Sequence, residues 1–169
     1  MESISVERRS ELLRSAKTIL KLELRDNYEV DADAFNAWQA GQSIQDTVSV
    51  WGERAAARVA AGVVTRRVKV VSEPLSDYHR FILDASKNAI DAGEEMRWLP
   101  RRLASAVLLP GNDFFVLDGE IVLFNVFDGA DRRAEIQFAD EPEVAKLCVS
   151  AFGSAWALAI PYGEYYTGS

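Results

Sequence analysis

Between Val68 and Asp118 a β-branched run, an amphipathic stripe and a second apolar run follow one another without a linker, which is the pattern of one continuous α/β unit. Val68, Val70 and Val71 form a strand-like segment bounded by Glu73-Pro74. Ser72 is placed to cap a helix that follows at once, and Pro74 fits its first turn. Leu75, Tyr78, Ile82, Ala85 and Ala89 then trace one apolar face, and Gly93 ends it. Met96 to Leu99 supply a second short strand, closed by Pro100. Strand, helix and strand in that order make a right-handed parallel crossover the default.

Beyond Phe114 the style becomes antiparallel. FFVL, EIVLFNVF and RRAEIQF are separated by Asp118-Gly119 and Asp128-Gly129, pairs that tolerate positive φ and form tight turns, so a three-strand meander is expected. Continuous apolar runs in its first two strands imply that both sheet faces are covered. Asp140-Glu141-Pro142-Glu143 reads as an acidic capping box for a last helix that runs along Val144, Leu147, Cys148, Ala151, Phe152, Ala155, Trp156 and Ala159 to Pro161. Upstream, Leu12, Leu13, Ala16, Ile19 and Leu20 recur at helical spacing, while Leu20, Leu22 and Leu24 alternate as a strand would. Asn27 to Ser49 suits short helices and loops, and GERAAARVAAG after Trp51 suits a helix stopped at Gly62. The fold expected is α/β (α+β): a mixed sheet with a parallel β-α-β crossover, an antiparallel three-strand meander and flanking helices. A chain of 169 residues that is 49% apolar supports one core. The expectation is a single domain over 1–169, with 1–62 a mainly helical N-terminal extension and 63–169 the α/β core.

With 26 acidic and 19 basic residues the formal charge is −7, so the average surface field repels a phosphate backbone and direct nucleic-acid binding is disfavoured. A lone cysteine, Cys148, forms no intrachain disulfide, and the N-terminus is polar with no signal-like or membrane-spanning stretch. A cytoplasmic protein without a membrane role is expected.

Most familiar chemistries lack their residues here. His79 is the only histidine, and without a cysteine cluster it fits none of the common zinc spacings. It reads first as a structural or surface histidine, as Cys148 reads as an inert core thiol. No nucleophile elbow and no glycine-rich phosphate loop is present. Asp113, Asp118, Asp128 and Asp131 fall near strand ends, but two of them are explained by Asp-Gly turns, so no metal is assigned. No catalytic residue and no cofactor is assigned either. A ligand- or partner-binding set remains: Arg66, Tyr78, Arg80, Glu94, Arg97 and Asp113, charges held near strand ends where open α/β sheets place ligands. The competing account is an ion-pair network that orders loops.

KLELRDNY, Trp51, RVKVVSEPLSDYHRF, AGEEMRWLPR, DFFVLDG and AWALAIP together resemble an uncharacterised family of small acidic actinobacterial proteins, over about Leu22 to Ile160. Members are encoded beside helix-turn-helix regulators, so the resemblance implies regulation by association. The segment around DFFVLD is also similar to the second half of the phospholipase-D-like fold. With Asp118 as its strand-end Asp, Gly111 and Asp113 stand where active members carry His and Lys, and Asn125-Val126 where they carry Gly-Ser. That alignment implies no nucleophile and no phosphodiester hydrolysis; a hairpin of this kind also arises without common descent. Three functions stay open. The first is a non-enzymatic regulatory or adaptor protein acting through a helix-turn-helix regulator or other small protein, anchored by the aromatics Trp38, Trp98, Tyr162, Tyr165 and Tyr166. The second is a sensor of a small anionic ligand, with its pocket at the strand ends. The third is an enzyme of unrecognised type.

Overall fold

In the computed structural model, residues 1–166 are described. The chain builds an open mixed sheet of eight strands in the order β1-β7-β6-β5-β2-β3-β4-β8. The strand–helix–strand unit runs from β3 (Val64–Val71) through α4 (Asp77–Asp91) to β4 (Glu95–Pro100), and its strands pair in parallel, Val68 opposite Arg97. The meander is β5 (Asp113–Leu117), β6 (Ile121–Phe127) and β7 (Arg133–Ala139), antiparallel throughout. The edges are two-residue strands, β1 (Glu2–Ser3) on β7 and β8 (Ile160–Pro161) on β4. Around them lie α1 (Val6–Ser15), α2 (Ala32–Gln39), α3 (Gln45–Ala60), α5 (Pro142–Leu158) and the short α6 (Tyr162–Tyr166).

The first 62 residues carry more than helices. Leu20, Leu22 and Leu24 take the strand alternative: β2 (Thr18–Glu23) is an inner strand, parallel to β3 and antiparallel to β5, and it joins the crossover to the meander. Helix α1 therefore stops at Ser15, short of Ile19 and Leu20. The stop is imposed from a distance, because the Asp118 carboxylate accepts the backbone N–H groups of Lys17 and Thr18 at 2.9 and 2.7 Å. Asp118 and Gly119 both hold positive φ, 54° and 77°, as a tight Asp-Gly turn requires. The second Asp-Gly turn departs from that geometry. There it is Asp131 that holds positive φ, and the Asp128 carboxylate accepts from the N–H groups of Ala130 and Arg132.

Two capping expectations are corrected. Ser76, not Ser72, caps α4 by accepting from His79 N–H, since the chain after Pro74 needs further residues before it turns helical. Glu141 stands at the N-cap of α5 but makes no capping hydrogen bond, because its carboxylate takes the N-terminal ammonium at 2.9 Å. Gly62 and Gly93 close α3 and α4 in the left-handed region, at φ 73° and 106°.

Alternation along the strands sorts side chains between two faces. One face, formed by Leu20, Leu22, Val68, Val70, Leu99, Phe114, Val116, Val122 and Phe124, packs on α5 through Cys148, Phe152 and Ala155. The other face carries two separate apolar clusters. Ile19, Phe115, Leu117 and Leu123 lie with Leu12 of α1, and Val71, Met96 and Trp98 lie with Phe81 and Ile82 of α4. Between those clusters the sheet is charged. Among the described residues no helix is long and apolar enough to cross a membrane.

Candidate functional site

The gap between the two clusters is a cavity of about 450 Å³, within the range of small-molecule sites. Its floor is a row of polar side chains crossing four strands: Lys21 and Glu23 on β2, Arg67 and Lys69 on β3, Asp113 on β5 and Asn125 on β6. The register sets them side by side, Lys21 opposite Arg67, Glu23 opposite Lys69, and Asp113 opposite Asn125. Helices α3 and α4 form one wall, and the segment with Tyr28, Glu29 and Asp31 crosses above the floor.

Four of these polar groups are buried to a degree that ordinary surface ion pairs are not. Lys69 is 2% exposed, Asp113 3%, Asn125 5% and Glu23 6%. Glu23 is the hub: Lys21 Nζ lies 2.5 Å from one carboxylate oxygen, and Lys69 Nζ at 3.2 Å and Arg67 at 3.9 Å approach the other. Burial pushes its pKa up, but Lys21, Lys69 and Arg67 outweigh that and hold the carboxylate well below its usual range. Burial and the neighbouring Arg67 lower Lys21, because three cations share one acid. Arg67 is also desolvated, yet Glu94 at 2.6 Å and Glu23 raise it above its ordinary value.

Two tyrosines are held as permanent donors. Tyr28 Oη donates to Asp113 at 2.5 Å and Tyr78 Oη to Asp31 at 2.6 Å; burial and the nearby carboxylates raise both phenols far out of the physiological range. Burial also raises Asp113, against the hydrogen bonds from Tyr28 and Leu24 N–H. Lys69 Nζ sits over the Tyr28 ring at 4.8 Å and the Tyr78 ring at 5.7 Å. The Asn125 side chain makes no hydrogen bond within the described residues, and its Oδ1 is fully enclosed. Burying ions costs several kcal/mol each unless they are paired, so a floor of this kind is an expensive way to build a core and marks a functional-site candidate.

Of the set named from sequence, the structure brings Tyr78, Glu94 and Asp113 together around this cavity. Arg66 and Arg97 point to the opposite face. Arg66 pairs with Glu95 at 3.1 Å, and Arg97 stacks 4.2 Å from the Trp156 ring and donates to the Trp156 carbonyl. Arg80 is exposed on α4, pairs with Asp77 and borders a separate open depression with Trp38 and Tyr165. Lys21, Glu23, Tyr28, Arg67, Lys69 and Asn125 were missed. Their signal lies in TILKLE and RRVKVV, where charges occupy every second position between apolar residues.

The other singled-out residues are spoken for. His79 is fully buried at the edge of Trp98, its Nδ1 3.6 Å from Asp26, and burial with the nearby Lys69 charge pushes it down to about 4. Cys148 is buried on the sheet-facing side of α5, and desolvation raises its thiol to about 11. Trp98 is not an exposed anchor; it is wholly buried, stacked on Tyr165. Asp113, Asp118, Asp128 and Asp131 serve Tyr28, β2, their own turn and Arg25 respectively, and no metal-ligating group of three converges among the described residues.

The profile of a domain of unknown function, DUF6879, matches residues 7–167. The chain belongs to that family. The match takes in every element of this DUF6879 member's fold except β1, and with them the whole cavity floor. A search of curated proteins finds no match.

Proposed function

We propose that this domain is a cytoplasmic, non-enzymatic sensor of a small anionic ligand. The observation that carries the reading is the enclosed charged floor between two apolar clusters on one sheet face, a region a purely structural core would fill with hydrocarbon. Charge balance supports the sign of the ligand. The lining has eight basic and six acidic side chains, a positive surplus inside a chain of net charge −7. The family resemblance supplies the output: occupancy is relayed to a helix-turn-helix regulator or another small protein, with no hydrolytic chemistry in the site.

The test is native mass spectrometry of the purified protein together with a thermal-shift screen of anionic metabolites. A ligand that binds only the folded state at 100 times its Kd adds about 2.7 kcal/mol, a readily measured upshift. The reading expects such a compound, and expects Asn125→Leu to fold while losing the upshift. A protein that no anionic compound stabilises, and that carries nothing when isolated, overturns it. Pull-downs with and without the ligand then test the partner.

A further inference from the structure

The arginines of this protein divide into two groups, and the division locates one end of the ligand. Eight of the fourteen, including Arg25, Arg66, Arg67 and Arg132, lie at ion-pair distance from a carboxylate. In a protein with more acids than bases, that is the default fate of a guanidinium. Six, Arg9, Arg14, Arg54, Arg58, Arg97 and Arg133, have no such partner among the described residues. Arg97 is satisfied by Trp156. Four of the remaining five, Arg9 of α1, Arg54 and Arg58 of α3 and Arg133 of β7, line this one cavity.

They come from three elements far apart in sequence, so no local composition explains their meeting. Arg9 is half-buried, lies 5.0 Å over the Phe115 ring, and has an enclosed Nε without a hydrogen-bond partner. Burial first, and then the charges of Arg133 and Arg58, push Arg9 down to about 10, so the three cations stand within electrostatic reach of one another. Three of the carboxylates that line the cavity are engaged elsewhere: Glu94 with Arg67, Asp131 with Arg25, and Asp31 with Tyr78.

The cavity also holds neutral polar groups, which ask for a different chemistry. Among the described residues Asn125, 5% exposed, has an enclosed amide oxygen with no hydrogen-bond partner, and Ser86, 2% exposed on α4, lines the same cavity. An amide and a hydroxyl each donate and accept, which matches alcohol groups rather than further charge. Resting on the reading of this cavity as a ligand site, we infer that its ligand is a phosphorylated polyol, with the phosphate among Arg9, Arg58 and Arg133 and the hydroxyls at Asn125 and Ser86. Phosphate is preferred to carboxylate because a dianion with three terminal oxygens meets several planar guanidinium forks at once, whereas a single carboxylate leaves the cations mutually repelling.

The experiment is isothermal titration at constant ionic strength with ribose 5-phosphate, ribose, inorganic phosphate and succinate, on the full chain. Ribose 5-phosphate is expected to bind at least tenfold more tightly than ribose or inorganic phosphate, and inorganic phosphate to compete with it. Arg133→Ala, at an exposed position and so compatible with folding, and Arg9→Lys are each expected to weaken ribose 5-phosphate tenfold or more and to leave ribose unchanged. Asn125→Leu is expected to weaken ribose 5-phosphate and spare inorganic phosphate. Equal affinity for ribose 5-phosphate and ribose, or an affinity untouched by both arginine variants, overturns the inference. Succinate binding in place of phosphate overturns the phosphate class while leaving an anion site in the cavity, and a bound small molecule without phosphate in native mass spectrometry does the same.

Discussion

Glu23 neutralises Lys21, Arg67 and Lys69 together, so its removal cannot be absorbed by any one of them. Glu23→Gln leaves the buried Lys69 and the half-buried Lys21 without their acid, while Glu94 still pairs with Arg67, and is expected to cost about 3–5 kcal/mol, the range for breaking a buried ion pair. Urea unfolding reads it; a loss under 1 kcal/mol would show that water already screens the floor. His79 makes a second residue-scale expectation, set by pH. Its folded pKa of about 4 lies below the ordinary 6.5, so the unfolded chain takes up the proton first as pH falls. Stability from the neutral ring is therefore full above about pH 6.5 and is lost between there and pH 4, by about 3 kcal/mol on the scale of 1.36 kcal/mol per unit. His79→Leu is expected to flatten that part of the stability profile; an unchanged slope would assign it to other groups.

Among the elements, the close of α4 is set by backbone geometry. Gly93 has φ 106°, and a Cβ there would stand 2.9 Å from Val59 Cγ2 on α3. Gly93→Ala is expected to destabilise by about 1–3 kcal/mol through strain and contact together. In a Val59→Ala background the contact term disappears and the φ term stays, so a double-mutant cycle by chemical denaturation separates them; full rescue would leave no room for backbone strain. The meander shows what was legible at this scale. Asp118-Gly119 announced its turn, because positive φ is a local demand that few residues meet. Asp128-Gly129 announced a turn of the wrong kind, because there Asp131 takes the positive φ and its carboxylate is held by Arg25 from another part of the chain.

Over the whole molecule, the sheet separates a face packed on α5 from a face that carries the charged cavity, and Arg97 tests that separation. Lying on Trp156 and bonded to its carbonyl, it belongs to the α5 side. Arg97→Ala is expected to lower the melting temperature through a loss of about 1–2 kcal/mol and to leave every ligand-induced upshift intact. A vanished upshift would mean that the two faces are coupled. The crossover, the meander and the final helix were each readable from Val68 onward, since hydrophobic period and turn chemistry are properties of neighbouring residues. Glu94 and Asp113 were readable as polar groups at strand ends, and Tyr78 as a residue of the crossover helix, for the same reason. Which of them share a cavity was not readable. That depends on which face each strand turns to α5, and on β2 entering between β5 and β3, where Glu23 comes beside Lys69 and within reach of Arg67. Arg9, Arg58 and Arg133 come together only when helices and strands distant in sequence converge on one cavity. Local periodicity determines the elements; long-range strand pairing decides which charges are neighbours, and so where the site lies.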